Sequence, residues 1–140
     1  LRAGVPAGIA HAAPVGEGPE ESGTSHFAVA DGEGSVVSYT STIEGPFGSG
    51  LMFGGFYLNN ELTDFSMVPE RDGRPVANRV EGGKRPRSSM APTVVFGPDG
   101  RLVLAIGAAG GATIPVQVAK ALIGVLDFRL PAQDAIGLPG

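Results

Sequence analysis

Glycine and proline break this chain into short apolar runs, and that division limits the folds open to it. The sequence holds 23 glycines and 12 prolines among 140 residues. They have no periodic spacing, which excludes a collagen-like helix. Many of the glycines fall between short apolar segments, as turn residues do. The pattern predicts a β-rich chain with functional loops.

The overall composition excludes several classes of function. The chain is long enough for one domain with a real core, and it is 42% hydrophobic and 17% charged, as globular proteins are. A formal net charge of −4 gives no reason to expect nucleic-acid binding. The absence of cysteine excludes a disulfide, a thiol nucleophile and a thiolate metal site. No apolar run is long enough to span a bilayer. Because the first residue is Leu1, a signal peptide would lie outside this sequence.

The first half of the chain predicts a tail followed by a hairpin. Residues 1–23 are rich in Gly, Pro, Ala and Glu, and they predict a flexible linker. Residues 25–30 alternate in polarity, and residues 35–42 are rich in β-branched side chains, so both predict strands. The turn signal at residues 31–34 joins them into one hairpin. Thr24 lies at the start of that hairpin.

The second half predicts another hairpin and one helix. Residues 93–96 and 101–106 are predicted strands, joined by Gly-Pro-Asp-Gly at 97–100. Residues 113–128 predict a helix with Pro115 in its first turn. Its apolar stripe is predicted to comprise Val116, Ala119, Leu122, Ile123 and Leu126. Gly110 and Gly111 precede this helix, where free N–H groups suit an anion, but taken alone the pair is better explained as a tight strand-to-helix connection.

Two loops are also candidates for function. Residues 44–55 contain five glycines, which predicts a sharp bend or a close backbone approach. Residues 69–87 predict a long polar loop, and loops of that length are often lids or binding segments. Between the two loops, Glu61 and Asp64 are three residues apart and could share one face of a helical turn.

Thr24 is the candidate nucleophile. If the Gly23–Thr24 bond breaks, Thr24 gains a free amine beside its own hydroxyl, and that amine can act as the activating base. His26 is a second basic group near it, but we expect its side chain to point to the face of the strand opposite Thr24 and to be structural.

Several ordered segments resemble the small subunit of γ-glutamyltranspeptidase, a family of N-terminal-nucleophile hydrolases. The resemblance covers about residues 22–136. The matching segments are Thr24-Ser25-His26-Phe27, Thr40-Ser41-Thr42, Phe47-Gly48-Ser49, Leu58-Asn59-Asn60-Glu61-Leu62-Thr63-Asp64-Phe65-Ser66, Lys84-Arg85-Pro86-Arg87-Ser88-Ser89-Met90-Ala91-Pro92-Thr93 and Gly107-Ala108-Ala109-Gly110-Gly111. Together these segments are far more specific than any one of them.

The resemblance implies an α+β fold, the α-β-β-α sandwich with antiparallel sheets, present here as a partial domain. Residues 1–23 would be the tail of the large subunit. Residues 24–140 would be the N-terminal part of the small catalytic subunit, truncated at the C-terminus. The implied protein is a zymogen that cleaves itself before Thr24, forms a γ-glutamyl-enzyme and passes that group to water, an amino acid or a peptide. Its implied partners are the large subunit of the same precursor and a γ-glutamyl substrate such as glutathione, with no metal or cofactor.

The resemblance also implies roles for individual residues. Autocleavage would occur between Gly23 and Thr24, and Thr42 would tune the nucleophile. Gly110 and Gly111 would form the oxyanion site. The substrate's α-carboxylate would be held by Ser88 and Ser89, and its ammonium group by acidic residues: Glu44, Glu61 and Asp64.

Two features keep other interpretations open. Glu44 stands where many members carry asparagine, so the preferred acyl donor can differ from glutathione. The loop at 69–87 lacks the tyrosine of some lids, so hydrolysis can outrun transfer. A related glutaryl or cephalosporin acylase, or a non-catalytic fragment of the fold, is the alternative. Bacterial relatives are usually exported, which favours a periplasmic or secreted protein, but cytoplasmic relatives are known.

Overall fold

The computed structural model describes residues 23–139, so the predicted linker lies almost wholly outside the described residues. The described strands pair as four antiparallel hairpins, each a separate two-stranded sheet. In chain order the elements are β1 (Thr24–Ala30), β2 (Val36–Thr42), β3 (Met52–Phe53), β4 (Phe56–Tyr57), a 3-10 turn (Glu61–Asp64), β5 (Glu70–Arg71), β6 (Arg74–Pro75), β7 (Thr93–Phe96), β8 (Leu102–Ile106), a 3-10 turn (Gly111–Thr113), α1 (Ile114–Leu126) and α2 (Ala132–Ile136).

The predicted hairpin at the start of the described chain is confirmed. Strands β1 and β2 pair in one continuous register from Ala30 opposite Val36 to Thr24 opposite Thr42. The turn between them is closed by Asp31, whose Oδ1 accepts the N–H groups of Glu33 and Ser35 at 2.9 and 2.8 Å. A fixed register places Thr24 and Thr42 side by side at the open end of the hairpin.

The second predicted hairpin is also confirmed, and it contacts the first. In β7–β8, Gly97 N–H donates to the Arg101 carbonyl at 2.8 Å to close the turn. Ser38 Oγ of β2 donates to the Ile106 carbonyl of β8 at 3.1 Å. A Cβ on Gly107 would overlap the imidazole ring of His26, so glycine is required where the two hairpins meet.

The expected orientation of His26 is wrong. His26 lies two residues beyond Thr24, so both side chains project from the same face of β1, and both are half-buried. The His26 ring is nevertheless engaged elsewhere, because Nδ1 is 2.8 Å from Thr40 Oγ1 and the ring lies against Gly107. These contacts agree with a structural role for His26.

The helix is present, but its predicted buried face is wrong. Val116 and Ile123 are 68% and 48% exposed. The buried side of α1 is instead lined by smaller residues together with Ile114: Val118, Ala121 and Gly124. That side packs on α2, which the sequence did not predict, and a Cβ on Gly124 would lie 2.7 Å from the Ala135 Cβ. Close helix contact therefore selects the small-residue face.

The loops contain more regular structure than expected. The glycine-rich segment forms β3–β4, and the polar segment at 69–87 forms β5–β6. After β6, Glu81 pairs with Arg79 at 2.8 Å and with Lys84 at 2.9 Å. The long polar loop is therefore ordered by local pairing rather than lacking structure.

The buried apolar core among the described residues is small. It comprises Phe65, Ile114, Val118, Ala121 and Ala135. The outer face of β1–β2 exposes half or more of each of its large side chains: Phe27, Val29, Val37 and Tyr39. The hairpin therefore presents one face to the cleft described below and a second, apolar face to solvent.

Candidate active site

Thr24 and Thr42 share a hydrogen bond at the end of the first hairpin. Thr24 Oγ1 donates to Thr42 Oγ1 at 3.1 Å, and Thr42 Oγ1 also accepts the Glu44 N–H at 2.8 Å. A hydroxyl oxygen has two acceptor positions, so Thr42 can accept both bonds. The pair holds the Thr24 hydroxyl in one orientation, half-buried at the edge of a cleft.

Gly23 packs tightly against the segment that follows β2. A Cβ at this position would lie 2.4 Å from the Glu44 carbonyl oxygen and 3.2 Å from that of Gly45. The first of these separations is one that real Cβ atoms do not show, so a side chain would force the backbone to move. The Gly23–Thr24 peptide is therefore held beside Glu44.

Three carboxylates converge in the same cleft. Oxygens of Glu44, Glu61 and Asp64 all lie within 4.8 Å of one another. Glu61 and Asp64 begin and end one 3-10 turn, in which residues i and i+3 are aligned, so the predicted shared face is confirmed. Glu44 has a φ of 72°, a conformation that is costly for a residue with a side chain. The cluster is strongly negative and could hold an ammonium group or a metal cation.

Asn60 joins the two segments that carry these acids. Its Oδ1 accepts the Gly45 N–H at 2.8 Å, and its N–H donates to the Ile43 carbonyl at 3.3 Å. Its own carbonyl accepts the Thr63 hydroxyl and N–H of the 3-10 turn. Asn60 therefore fixes the position of Glu44 relative to the acidic turn.

The cleft brings together the predicted site residues from three parts of the chain. It has a volume of about 410 Å³, including space open to solvent. Among the residues that line it are Thr24, Thr42, Glu44, Glu61, Asp64, Arg87, Ser88, Ser89 and Ala112. The candidate nucleophile Thr24, the three carboxylates and the two serines thus line the same cleft, as a site for a small charged substrate requires.

Gly110 and Gly111 lie next to the cleft rather than in its lining. Gly111 is buried and begins the 3-10 turn that leads into α1, and Ala112, which follows it, lines the cleft. Gly110 has a φ of 123°, which is reserved in practice for glycine. The first N–H groups of a helical segment have no intrahelical partner. The glycine pair is therefore placed beside the cleft, at the start of the helical segment.

Sequence reasoning missed three residues of this region: Asn60, Asn78 and Arg87. The preference of asparagine for helix starts was a usable signal for Asn60, which precedes the 3-10 turn. Arg87 stands beside two predicted serines and lines the cleft. Asn78 has partners 14 and 9 residues away, and no local pattern indicates them.

Comparison with solved structures confirms the expected fold class. The chain matches γ-glutamyltranspeptidase from Pseudomonas nitroreducens complexed with L-DON at 39% identity and a TM-score of 0.68, over 79% of this chain and 60% of that one. It matches a mutant γ-glutamyltranspeptidase from Helicobacter pylori at 38% identity and a TM-score of 0.68, over 79% and 62%. The described residues therefore have an N-terminal-nucleophile hydrolase fold, with antiparallel strands and few helices.

The family follows from the sequence match. The family model described as Gamma-glutamyltranspeptidase matches residues 3–140. A glutathione hydrolase proenzyme from Bacillus subtilis (strain 168) is 45% identical over 121 residues, which is 85% of this chain and 20% of that protein. The chain belongs to the γ-glutamyltranspeptidase family, and it spans about a fifth of the length of that relative. Among the described residues, no helix is long and apolar enough to cross a membrane.

Proposed function

We propose that this chain carries the catalytic Thr of a self-cleaving γ-glutamyltranspeptidase and glutathione hydrolase. One observation supports this most directly: the Thr24 hydroxyl, bonded to Thr42 at 3.1 Å, shares a cleft with three carboxylates and two serines. Family membership supports the same reaction, and a relative at 45% identity is named a glutathione hydrolase proenzyme. In this proposal residues 1–23 end the large subunit, and residues 24–140 belong to the small subunit.

The first reaction is autocleavage. Thr24 Oγ1 attacks the Gly23 carbonyl carbon while its proton is relayed, through the Thr42 hydroxyl to which it is hydrogen-bonded, toward the Thr24 nitrogen. The C–N bond breaks, the Thr24 nitrogen takes up a proton, and Gly23 becomes an ester on the Thr24 oxygen. Water then hydrolyses that ester, which frees the Thr24 hydroxyl beside the amine already released and leaves Gly23 with a terminal carboxylate. The tight packing of Gly23 against Glu44 supports this step by holding the peptide in place.

The second reaction is acyl transfer. The free Thr24 amine accepts the hydroxyl proton as the oxygen attacks the γ-carbonyl of the substrate. The N–H groups of Gly110 and Gly111 stabilise the oxyanion, and loss of one such donor costs about 3 kcal/mol of transition-state stabilisation. The leaving amine takes the proton from the Thr24 amine. Water or an amino acid then attacks the γ-glutamyl ester and regenerates Thr24.

The charges in the cleft define which substrate head it accepts. The ammonium group is held by the three carboxylates, Glu44, Glu61 and Asp64, which converge within 4.8 Å. The α-carboxylate accepts hydrogen bonds from the hydroxyls of Ser88 and Ser89. A glutaryl substrate lacks the ammonium group and therefore cannot make the contact with the three carboxylates. That difference favours a γ-glutamyl donor over the acylase alternative.

Mass spectrometry of the complete precursor tests the proposal. We expect wild type to separate into two chains at the Gly23–Thr24 bond and Thr24→Ala to stay intact. Ser25→Ala is the matched control, because Ser25 carries a neighbouring hydroxyl on the opposite, exposed face of β1. The cleaved protein should release p-nitroaniline from a γ-glutamyl anilide much faster than from a glutaryl anilide. An intact wild type would favour a non-catalytic domain, and the reverse substrate order would favour an acylase.

A further inference from the structure

Asn78 bridges two segments of the cleft that are far apart in sequence. Its Nδ2 donates to the Asp64 carbonyl at 2.7 Å, at the end of the acidic 3-10 turn. Its Oδ1 accepts the Arg87 N–H at 3.1 Å, immediately before the two serines. A single side chain thus contacts the backbone on the carboxylate side and on the serine side of the cleft.

The chemistry of these contacts fixes the Asn78 amide in one orientation. A carbonyl can only accept and an N–H can only donate, so exchanging Oδ1 and Nδ2 would break both bonds. The Asp64 carbonyl ends a helical turn and would otherwise lack an intrahelical donor. The Asn78 backbone is held as well, because its carbonyl accepts the Ser66 N–H at 2.8 Å. The bond from Nδ2 to the Asp64 carbonyl is partly buried, so water competes less for it than on an open surface, whereas the bond from Arg87 is exposed.

We propose that Asn78 is a positioning residue that sets the spacing between the carboxylates and the serines. This role rests on the proposed function, in which those two groups hold the ammonium and the carboxylate of one substrate head. Two charges on the same α-carbon are a fixed distance apart, so both can be bound only if the two sides of the cleft keep that distance. Asn78 does this without touching the substrate. The loop at 69–87 therefore acts as a spacer for substrate recognition.

Loss of the spacer should weaken binding of the head and leave the chemistry at Thr24 intact. In Asn78→Ala we expect KM for a γ-glutamyl anilide to rise about ten- to a hundredfold. We expect kcat to change little. A raised KM with an unchanged kcat is the pattern expected when the lost interaction is equally strong in the ground state and in the transition state. Asn78→Asp has the same shape and keeps an acceptor for Arg87, but it loses the donor to Asp64, so we expect its KM to rise as well.

Two readouts separate a spacer from a merely structural residue. Autocleavage should keep its wild-type rate in both variants, because it uses Gly23, Thr24 and Thr42 and no substrate head. The 4-aminobutyryl and glutaryl anilides each lack one of the two charges, so neither can bind both sides of the cleft. We expect both to be hydrolysed more slowly than the γ-glutamyl anilide, and the Asn78 substitutions should hardly change those rates. Arg79→Ala is the matched control, because it removes an ion pair from the same loop. The Arg79 side chain bonds neither the acidic turn nor the serine segment, so KM should stay at the wild-type value.

The outcomes separate this role from the proposed function. An active wild type in which Asn78→Ala has the wild-type KM would overturn the role of Asn78 alone. An equal loss of hydrolysis rate on all three anilides would also overturn the role of Asn78, as would slower autocleavage in the variants. Either result would indicate a general structural defect. A wild-type precursor that neither cleaves itself nor hydrolyses the γ-glutamyl anilide would remove the proposed function, and the role of Asn78 with it.

Discussion

At the scale of single residues, the Thr42 hydroxyl links the candidate nucleophile to the segment after β2. It accepts from Thr24 Oγ1 and from the Glu44 N–H, so it orients the nucleophile and anchors the segment after β2 together. In Thr42→Val, Thr24 Oγ1 and the Glu44 N–H both lose their acceptor. A buried donor left without an acceptor costs about 1–3 kcal/mol of stability. We expect autocleavage to slow about ten- to a hundredfold, measured by the appearance of the two chains with time.

Thr42→Ser is the companion variant because it keeps the hydroxyl and removes only a methyl group. We expect it to retain most of the wild-type autocleavage rate. If the valine and serine variants were equally slow, the methyl group and its packing would matter rather than the hydrogen bonds. The hydroxyl of Thr42 would then have no role in orienting Thr24.

Gly23 gives a second test at this scale. In Gly23→Ala the new Cβ would lie 2.4 Å from the Glu44 carbonyl oxygen, so the peptide to be cleaved must shift. Overpacking of this kind costs about 1–3 kcal/mol, and we expect autocleavage to slow about tenfold or more. Gly32→Ala is the control, because nothing lies within 4 Å of a Cβ at that position. A Gly23→Ala precursor that cleaves at the wild-type rate would contradict the close packing at the cleavage site.

Individual site residues were predictable where they belong to a local sequence pattern. The helical spacing brings Glu61 beside Asp64, so this pair follows from periodicity. The place of Thr42 beside Thr24 was implied by the family resemblance, and the strand register accounts for it. Glu44 and Ser88 reach the same cleft only through the path of the loops between them, and the family resemblance was needed to connect them. Asn78 was out of reach, because its partners lie in two other segments.

At the scale of elements, the β1–β2 hairpin depends on its turn as well as on its strands. The Ser35 side chain and the backbone N–H groups of Ser35 and Glu33 donate to Asp31, which lowers the pKa of that carboxyl below its ordinary value of 3.8. A lowered pKa means that the ionised form stabilises the folded state. That stabilisation is present above the ordinary pKa of Asp31 and is lost as the pH falls through the lowered one.

The prediction for this turn concerns pH. In Asp31→Asn we expect the melting temperature of the complete protein to fall at pH 6 and to approach that of wild type at a pH below the lowered pKa of Asp31, where the wild-type carboxyl is itself protonated. Glu33→Gln removes a charge from the same turn without removing the acceptor, and it should behave as wild type. A loss that is the same size at both pH values would show that ionised Asp31 does not stabilise the turn.

Elements with a strong period were predictable, and very short ones were not. The long strands of both hairpins and α1 appear within two residues of their predicted bounds. Strands β3 to β6 have two residues each, too few to show an alternation. The buried face of α1 was predicted wrongly because the large apolar residues of the helix form a stripe. The helix instead packs on α2 through small residues, with Gly124 against Ala135.

At the scale of the whole molecule, the outer face of the β1–β2 hairpin needs a partner. Phe27 and Tyr39 stack there with ring centroids 5.2 Å apart, and they are 53% and 50% exposed. A contiguous apolar face of this kind usually marks an interaction surface. The chain spans about a fifth of the length of its Bacillus subtilis relative.

The last prediction follows from that exposed face. We expect the 140-residue chain expressed alone to bind 8-anilinonaphthalene-1-sulfonate, to self-associate and to hydrolyse γ-glutamyl anilide poorly, because the hairpin that carries Thr24 lacks a cover. Phe27→Thr with Tyr39→Thr keeps two β-formers in the strands, and it should reduce dye binding and self-association without restoring activity. In the complete precursor the same double change should destabilise the protein, since the face would be buried there. A monomeric 140-residue chain that binds no dye and matches the activity of the complete protein would mean that the hairpin needs no cover and that the cleft is complete within this chain.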